Sequence, residues 1–224
     1  MGTITRTFAN NITTSGVFKP TAFNNASFDN VTSVPSGSVE GGNMVLLSTQ
    51  TASGSSSISF TSGIDSTYKE YMFIFNNIHP SASSADFSFN MSTDGGSNYN
   101  VTKTSANARG YHRENGTQSS LSYDTSKDLA QSTAYQHLGT DITSVNPDEC
   151  GSGYIHLFDP SSTTFVKHYL AVTSNVQTIN GVGNFYYNFY HGGYANTTSA
   201  INAIDFKFSA GNIDDGTIQM FGIL

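Results

Sequence analysis

Short segments in which every second residue is apolar recur along the chain after residue 43. Residues 57–61 read Ser-Ile-Ser-Phe-Thr, and residues 86–91 read Asp-Phe-Ser-Phe-Asn-Met. A period of two is typical of β-strands that bury one face. Residues 44–47, Met-Val-Leu-Leu, are a short apolar run that also predicts a strand. Further strand candidates, with aromatic residues at strand positions, are residues 153–158, 165–172, 185–190, 204–208 and 217–223.

Residues 70–75, Glu-Tyr-Met-Phe-Ile-Phe, are apolar on both faces. A strand with one wet face would show a polar residue at every second position. We therefore predict that this strand is central and the most buried of the fold. The face that carries Met72 and Ile74 then requires a cover, either a long loop or a neighbouring subunit.

These strands, joined by turn-rich links, predict an all-β fold. We expect an antiparallel two-sheet sandwich of the jelly-roll type over residues 41–224. The more polar stretch at residues 102–150 is interpreted as long loops, with a short helix or connecting loop at 128–136. In Asp214-Asp215-Gly216 we expect a turn into the last strand, with Gly216 at positive φ.

Residues 1–40 have a different pattern, in which single apolar residues are separated by Asn, Ser and Thr. Such a segment has too little hydrophobicity for a core of its own. It is either a disordered tail or an extended arm that anchors the protein in a neighbouring subunit. The regular spacing of its apolar residues favours the arm, whose candidate assembly residues are Phe8, Ile12, Phe18, Phe23 and Phe28.

Charged residues make up only 11% of the chain, against about 25% in ordinary soluble domains. A neutral surface suits a repeating assembly, where like charges would repel. The net charge is −7 and the nine Lys and Arg residues form no cluster, so we expect neither nucleic acid nor a membrane as partner. The start of the chain shows no apolar signal segment, which predicts synthesis in a cytoplasm without cleavage.

Candidate chemistry is sparse. The six histidines show no local metal-binding spacing, and Cys150 is the only cysteine, beside two acidic residues that should raise its pKa. No nucleophile elbow, P-loop or dinucleotide fingerprint occurs. We therefore predict a protein that is not an enzyme, without catalytic residues, cofactor or metal.

Residues 184–194, Asn-Phe-Tyr-Tyr-Asn-Phe-Tyr-His-Gly-Gly-Tyr, are the most aromatic stretch of the chain. Tyrosine rings beside amide groups suit sugars, which makes this a candidate glycan platform. The alternative is a core strand whose Tyr hydroxyls reach the rim. The candidate platform residues are Tyr186, Tyr187, Tyr190 and Tyr194.

Several segments resemble uncharacterised virion-associated proteins of tailed phages, particularly marine ones. They are residues 4–11, 60–71, 78–80, 157–160 and 216–223. The resemblance implies a virion structural protein, in a tail, a fibre or a head decoration, with other virion proteins as partners. Proteins of this class are commonly three-fold, so a homotrimer is expected. The alternative is a lectin-like receptor-recognition module of a fibre that binds a host surface glycan, and a polysaccharide-cleaving enzyme ranks third.

Overall fold

The computed structural model describes residues 44–224, which contain twelve β-strands. The predicted arm, with Phe8, Ile12, Phe18, Phe23 and Phe28, lies outside the described residues. The strands are β1 (Met44–Thr51), β2 (Ile58–Phe60), β3 (Glu70–Pro80), β4 (Ala85–Ser92), β5 (Lys103–Arg113), β6 (Ser119–Tyr123), β7 (Gln136–Ile142), β8 (Gly151–Phe158), β9 (Lys167–Ile179), β10 (Gly183–Ala195), β11 (Ala203–Phe208) and β12 (Ile213–Ile223). The all-β prediction is confirmed.

The strands form two antiparallel sheets, as the sequence predicts. The larger has eight strands in the order β1-β12-β3-β8-β9-β10-β5-β6, and the smaller has the order β2-β11-β4-β7. Four pairings, β1 with β12, β2 with β11, β3 with β8 and β4 with β7, join the strands from the chain ends inward. Such nested pairing is the jelly roll, a double-sheet sandwich of eight strands.

Four strands lie outside this nested set. β5 and β6 are inserted between β4 and β7, and β9 and β10 are inserted between β8 and β11. They continue the large sheet beyond β8 and widen it from four strands to eight. This extension is the part of the fold that carries the candidate site.

Aromatic rings from both sheets form the core. Phe73 of β3 lies 5.5 Å from Phe60 of β2 and 5.7 Å from Phe206 of β11, measured between ring centroids. Tyr71, Phe73 and Phe75 are fully buried, and β3 lies inside the large sheet between β12 and β8, so the prediction of a central strand is confirmed. The prediction that β3 is the most buried strand was wrong, because β4 and β11 of the small sheet are buried on both faces along nearly their whole length. The opposite face, with Met72 and Ile74, is half-buried.

The interpretation of residues 102–150 as long loops was wrong, because β5, β6 and β7 lie within them. The inward residues of β5 include Lys103, Asn107 and Arg109, which are polar and hide the usual alternation. Residues 128–136 form no helix. Instead, the backbone of this connection bonds the start of β5, at Ser132 with Lys103 and at Leu129 with Ser105.

Two strand boundaries also differ from the prediction. β9 begins at Lys167, and Phe165 lies before it with 71% of its surface exposed. Gly216 has the expected positive φ, 114°, but it lies within β12 at a register shift rather than in a turn before the strand. A Cβ there would lie 2.7 Å from the carbonyl oxygen of Asn77, so only glycine fits.

Candidate functional site: an aromatic groove on the outer sheet face

The outer face of the large sheet, which points away from the small sheet, carries a band of aromatic residues. On β8, Ile155 and Leu157 are buried in the core, so the alternating Tyr154, His156 and Phe158 point outward. These three residues also contact one another. The ring of His156 lies 5.3 Å from that of Tyr154 and 6.1 Å from that of Phe158.

Strand register extends this band across the sheet. One row contains Tyr154, Val172, Tyr190, Ala108 and Tyr123, on five neighbouring strands. Small or branched side chains thus alternate with tyrosines. Because neighbouring strands are about 4.8 Å apart, successive tyrosines stand roughly 10 Å apart.

A second row of outward-facing residues runs beside the first, and its side chains are smaller on β10 and β5 than on β8 and β9. It contains His156, Leu170, Gly192 and Ala106. Glycine and alanine leave space between the surrounding rings, and a groove of about 670 Å³ results. We call this the aromatic groove and define it by Tyr123, Tyr154, His156, Phe158, Leu170 and Tyr190.

Polar groups in this region accompany the aromatic ones. A carboxylate oxygen of Glu70 on β3 lies within hydrogen-bond distance of Nδ1 of His156, and 26% of each side chain is exposed. The hydroxyl of Tyr123 donates to Oδ2 of Asp128 at 2.6 Å. That hydrogen bond to a carboxylate raises the pKa of Tyr123 and keeps its hydroxyl protonated. The groove can therefore hold a ring that is apolar on its faces and hydroxylated at its edge.

The structure separates the candidate platform residues. Tyr186 and Tyr190 point outward, with 44% and 51% of their surfaces exposed, and Tyr194 lies on the same face. Tyr187 lies on the opposite face, where the guanidinium of Arg109 covers its ring at 5.7 Å. Of the four, Tyr190 alone lines the groove.

Sequence reasoning did not identify Tyr123, Tyr154, His156 or Phe158 as site residues. The rings at positions 154, 156 and 158 recur at every second residue and so share one face of the strand. This was a usable signal, because a patch of large rings on an exposed face commonly marks a binding site. Tyr123 had no such signal, because it lies in a segment interpreted as loop.

Two other clusters have structural explanations. Burial opposes ionisation of Asp86, but the His137 ring 3.1 Å away and a hydrogen bond from Lys127 at 2.8 Å outweigh it and hold the pKa of the carboxyl below its usual value. At Cys150, burial raises the pKa of the thiol and Asp148 adds to the effect, so the thiol is not activated.

Within residues 44–224, no group of three or more His, Cys, Asp or Glu side chains is arranged to hold a metal ion. The same part of the chain contains no helix able to cross a membrane. No family model matches the chain, and no curated protein or solved structure matches it.

Proposed function

We propose that the chain is a non-enzymatic structural protein of a phage virion that displays its jelly roll on the particle. The observation that carries the proposal is the nested pairing of β1 with β12, β2 with β11, β3 with β8 and β4 with β7. Jelly rolls recur in viral capsid proteins and in lectin domains. Since one fold serves many functions, the resemblance to virion-associated phage proteins supplies the rest of the argument.

The surface composition supports the same proposal. Few residues are charged, and several large apolar side chains stay exposed on the outer face and at its β1 edge, among them Met44, Leu46 and Leu170. Exposed apolar patches of this kind commonly mark interaction sites. In this proposal, residues 1–40 are the anchoring arm and the protein is a homotrimer.

Purified particles of the source phage test the proposal directly. We expect mass spectrometry to find the chain in density-purified virions, in a constant ratio to the major capsid protein. A tagged copy that lacks residues 1–40 should fold, judged by circular dichroism, and should be absent from virions. Detection of the full chain only in the infected-cell lysate would refute the virion assignment.

A second function, glycan binding, is favoured by the aromatic groove. Its tyrosine rings present apolar faces for a sugar ring, while Glu70 and His156 offer polar partners for hydroxyls. Buried aromatic side chains dominate the energetics of binding sites. In this proposal the ligand is a host surface glycan and the protein lies at an exposed position, such as a fibre tip.

Binding to a glycan array, followed by calorimetry with each glycan that binds, tests this second function. Tyr190→Ala and Tyr154→Ala should each weaken binding at least tenfold, which corresponds to about 1.4 kcal/mol. The matched control is Tyr186→Ala, which removes an exposed tyrosine from the same face of β10 outside the groove. No bound glycan, or equal losses for Tyr186→Ala and Tyr190→Ala, would refute binding in the groove.

A further inference from the structure

Lys103, at the start of β5, is completely buried, and no acidic side chain of residues 44–224 forms an ion pair with it. Its Nζ lies 2.5 Å from Oδ1 of Asn90 and 2.8 Å from the carbonyl oxygen of Val101, both neutral acceptors. Lys103 belongs to none of the ion pairs formed within residues 44–224. Lysine is almost never fully buried unless a charged partner is present, so this arrangement requires an explanation.

The side-chain amide of Asn90 is also fully buried, and its orientation is determined by four hydrogen bonds. Its Nδ2 donates to the carbonyl oxygens of Tyr99 at 2.6 Å and Thr133 at 2.9 Å. Its Oδ1 accepts from the backbone N–H of Met91 at 2.8 Å as well as from Lys103. The amide is thus held with its carbonyl group toward the lysine amine.

Burial lowers the pKa of Lys103 to about 7. A large fraction of the side chain is then a neutral amine at neutral pH, and a neutral amine is a nucleophile. The backbone N–H of Met91 is placed to stabilise negative charge that develops on Oδ1 during attack.

We propose that Lys103 and Asn90 react with each other to form an intramolecular isopeptide cross-link. Nζ of Lys103 attacks Cγ of Asn90, the Nζ–Cγ bond forms, and the Cγ–Nδ2 bond breaks. One proton from the neutral Nζ amine passes to Nδ2, which leaves as ammonia, and the other stays on the new amide nitrogen. The reaction consumes one amine and one primary amide and needs no oxidant, reductant or cofactor.

The cross-link would join β4 to the start of β5 across the connection at residues 93–102. A covalent link of this kind restricts the unfolded chain in the same way as a disulfide. The single cysteine, Cys150, leaves the chain without an internal disulfide. The cross-link would therefore be an internal covalent brace of the sandwich, a property that goes beyond the proposed function and does not depend on it.

Intact-mass spectrometry of the full, denatured chain tests the proposal. We expect the protein to be lighter than its sequence mass by one ammonia, and Lys103→Met to have the full sequence mass. The matched control is Lys167→Met, because Lys167 is equally buried but bonds only the backbone carbonyls of Thr197 and Ser199. This variant should still lose ammonia. A wild-type chain that keeps its full mass after prolonged incubation at neutral pH overturns the proposal, whatever the variants do.

Peptide mapping distinguishes the cross-link from ammonia loss at the Asn115-Gly116 sequence, where succinimide formation gives the same mass change. Trypsin should fail to cleave after Lys103. Cleavage after Met91 with cyanogen bromide, or after Tyr99 with chymotrypsin, should leave the pieces that contain Asn90 and Lys103 joined. Separation of these pieces would refute the link.

Discussion

Replacement of Phe73 by alanine tests the assignment of β3 as the central core strand. Phe73 is fully buried, and its ring contacts Phe60 and Phe206 from the opposite sheet. Truncation of a buried phenylalanine to alanine costs about 3–5 kcal/mol, and the cost rises with the cavity that remains.

The surroundings of Phe73 place its cost toward the upper end of that range. Phe206 also packs against Phe87, with nearly parallel rings 6.0 Å apart, so neighbouring aromatic rings hold it in place. Rigid rings collapse poorly into a cavity. We therefore expect a loss of about 4 kcal/mol, a large part of the roughly 5–15 kcal/mol that stabilises a typical domain.

Urea unfolding followed by far-ultraviolet circular dichroism measures this loss. With an m-value of about 2 kcal/mol/M, the midpoint should fall by about 2 M while the slope stays unchanged. The control is Phe165→Ala, which removes the same side chain from a position that is 71% exposed. Its effect should stay within about 0.5 kcal/mol. A loss below about 1.5 kcal/mol for Phe73→Ala, or similar losses for both variants, would refute the core assignment.

Three further predictions follow from the packing and the charges. Gly193→Ala should lower the melting temperature, because the new Cβ would lie 2.5 Å from the hydroxyl of Tyr169. Gly192→Ala is the control and should be tolerated, because the atom nearest to its new Cβ is 3.4 Å away. Burial lowers the pKa of His191 to about 4, so the unfolded chain binds a proton that the folded chain excludes. The free energy of unfolding should therefore fall by on the order of 3 kcal/mol as pH drops from 6.5 to 4. In urea titrations over this pH range, His191→Gln should lack the part of the loss that His191 causes. Met72→Ser should reduce oligomer size in light scattering more than it lowers the melting temperature, since Met72 lies on the half-buried outer face of β3; unchanged oligomers would show that no subunit covers that face.

The sequence alone was enough to determine the fold class and much of the core. Phe73, Phe87 and Phe206 lie in segments whose apolar residues identify them as strands, and all three are buried. Alternation works for these strands because one face meets an apolar core and water or polar groups meet the other. It failed for β5, because its buried, inward residues Lys103 and Asn107 are polar, so its sequence pattern resembles that of a loop.

Only the tertiary structure decided which residues share a site. Period two places Tyr187 and Tyr190 on opposite faces, but it does not say which face points to solvent or which strands lie beside β10. The aromatic groove joins Tyr123, Tyr154 and Tyr190 through pairings between distant segments. Strand pairing is a long-range choice made by the packing of whole sheets. The sequence therefore determines which residue types are available for the site. Which of them lie side by side is determined by the order of the strands within the sheet.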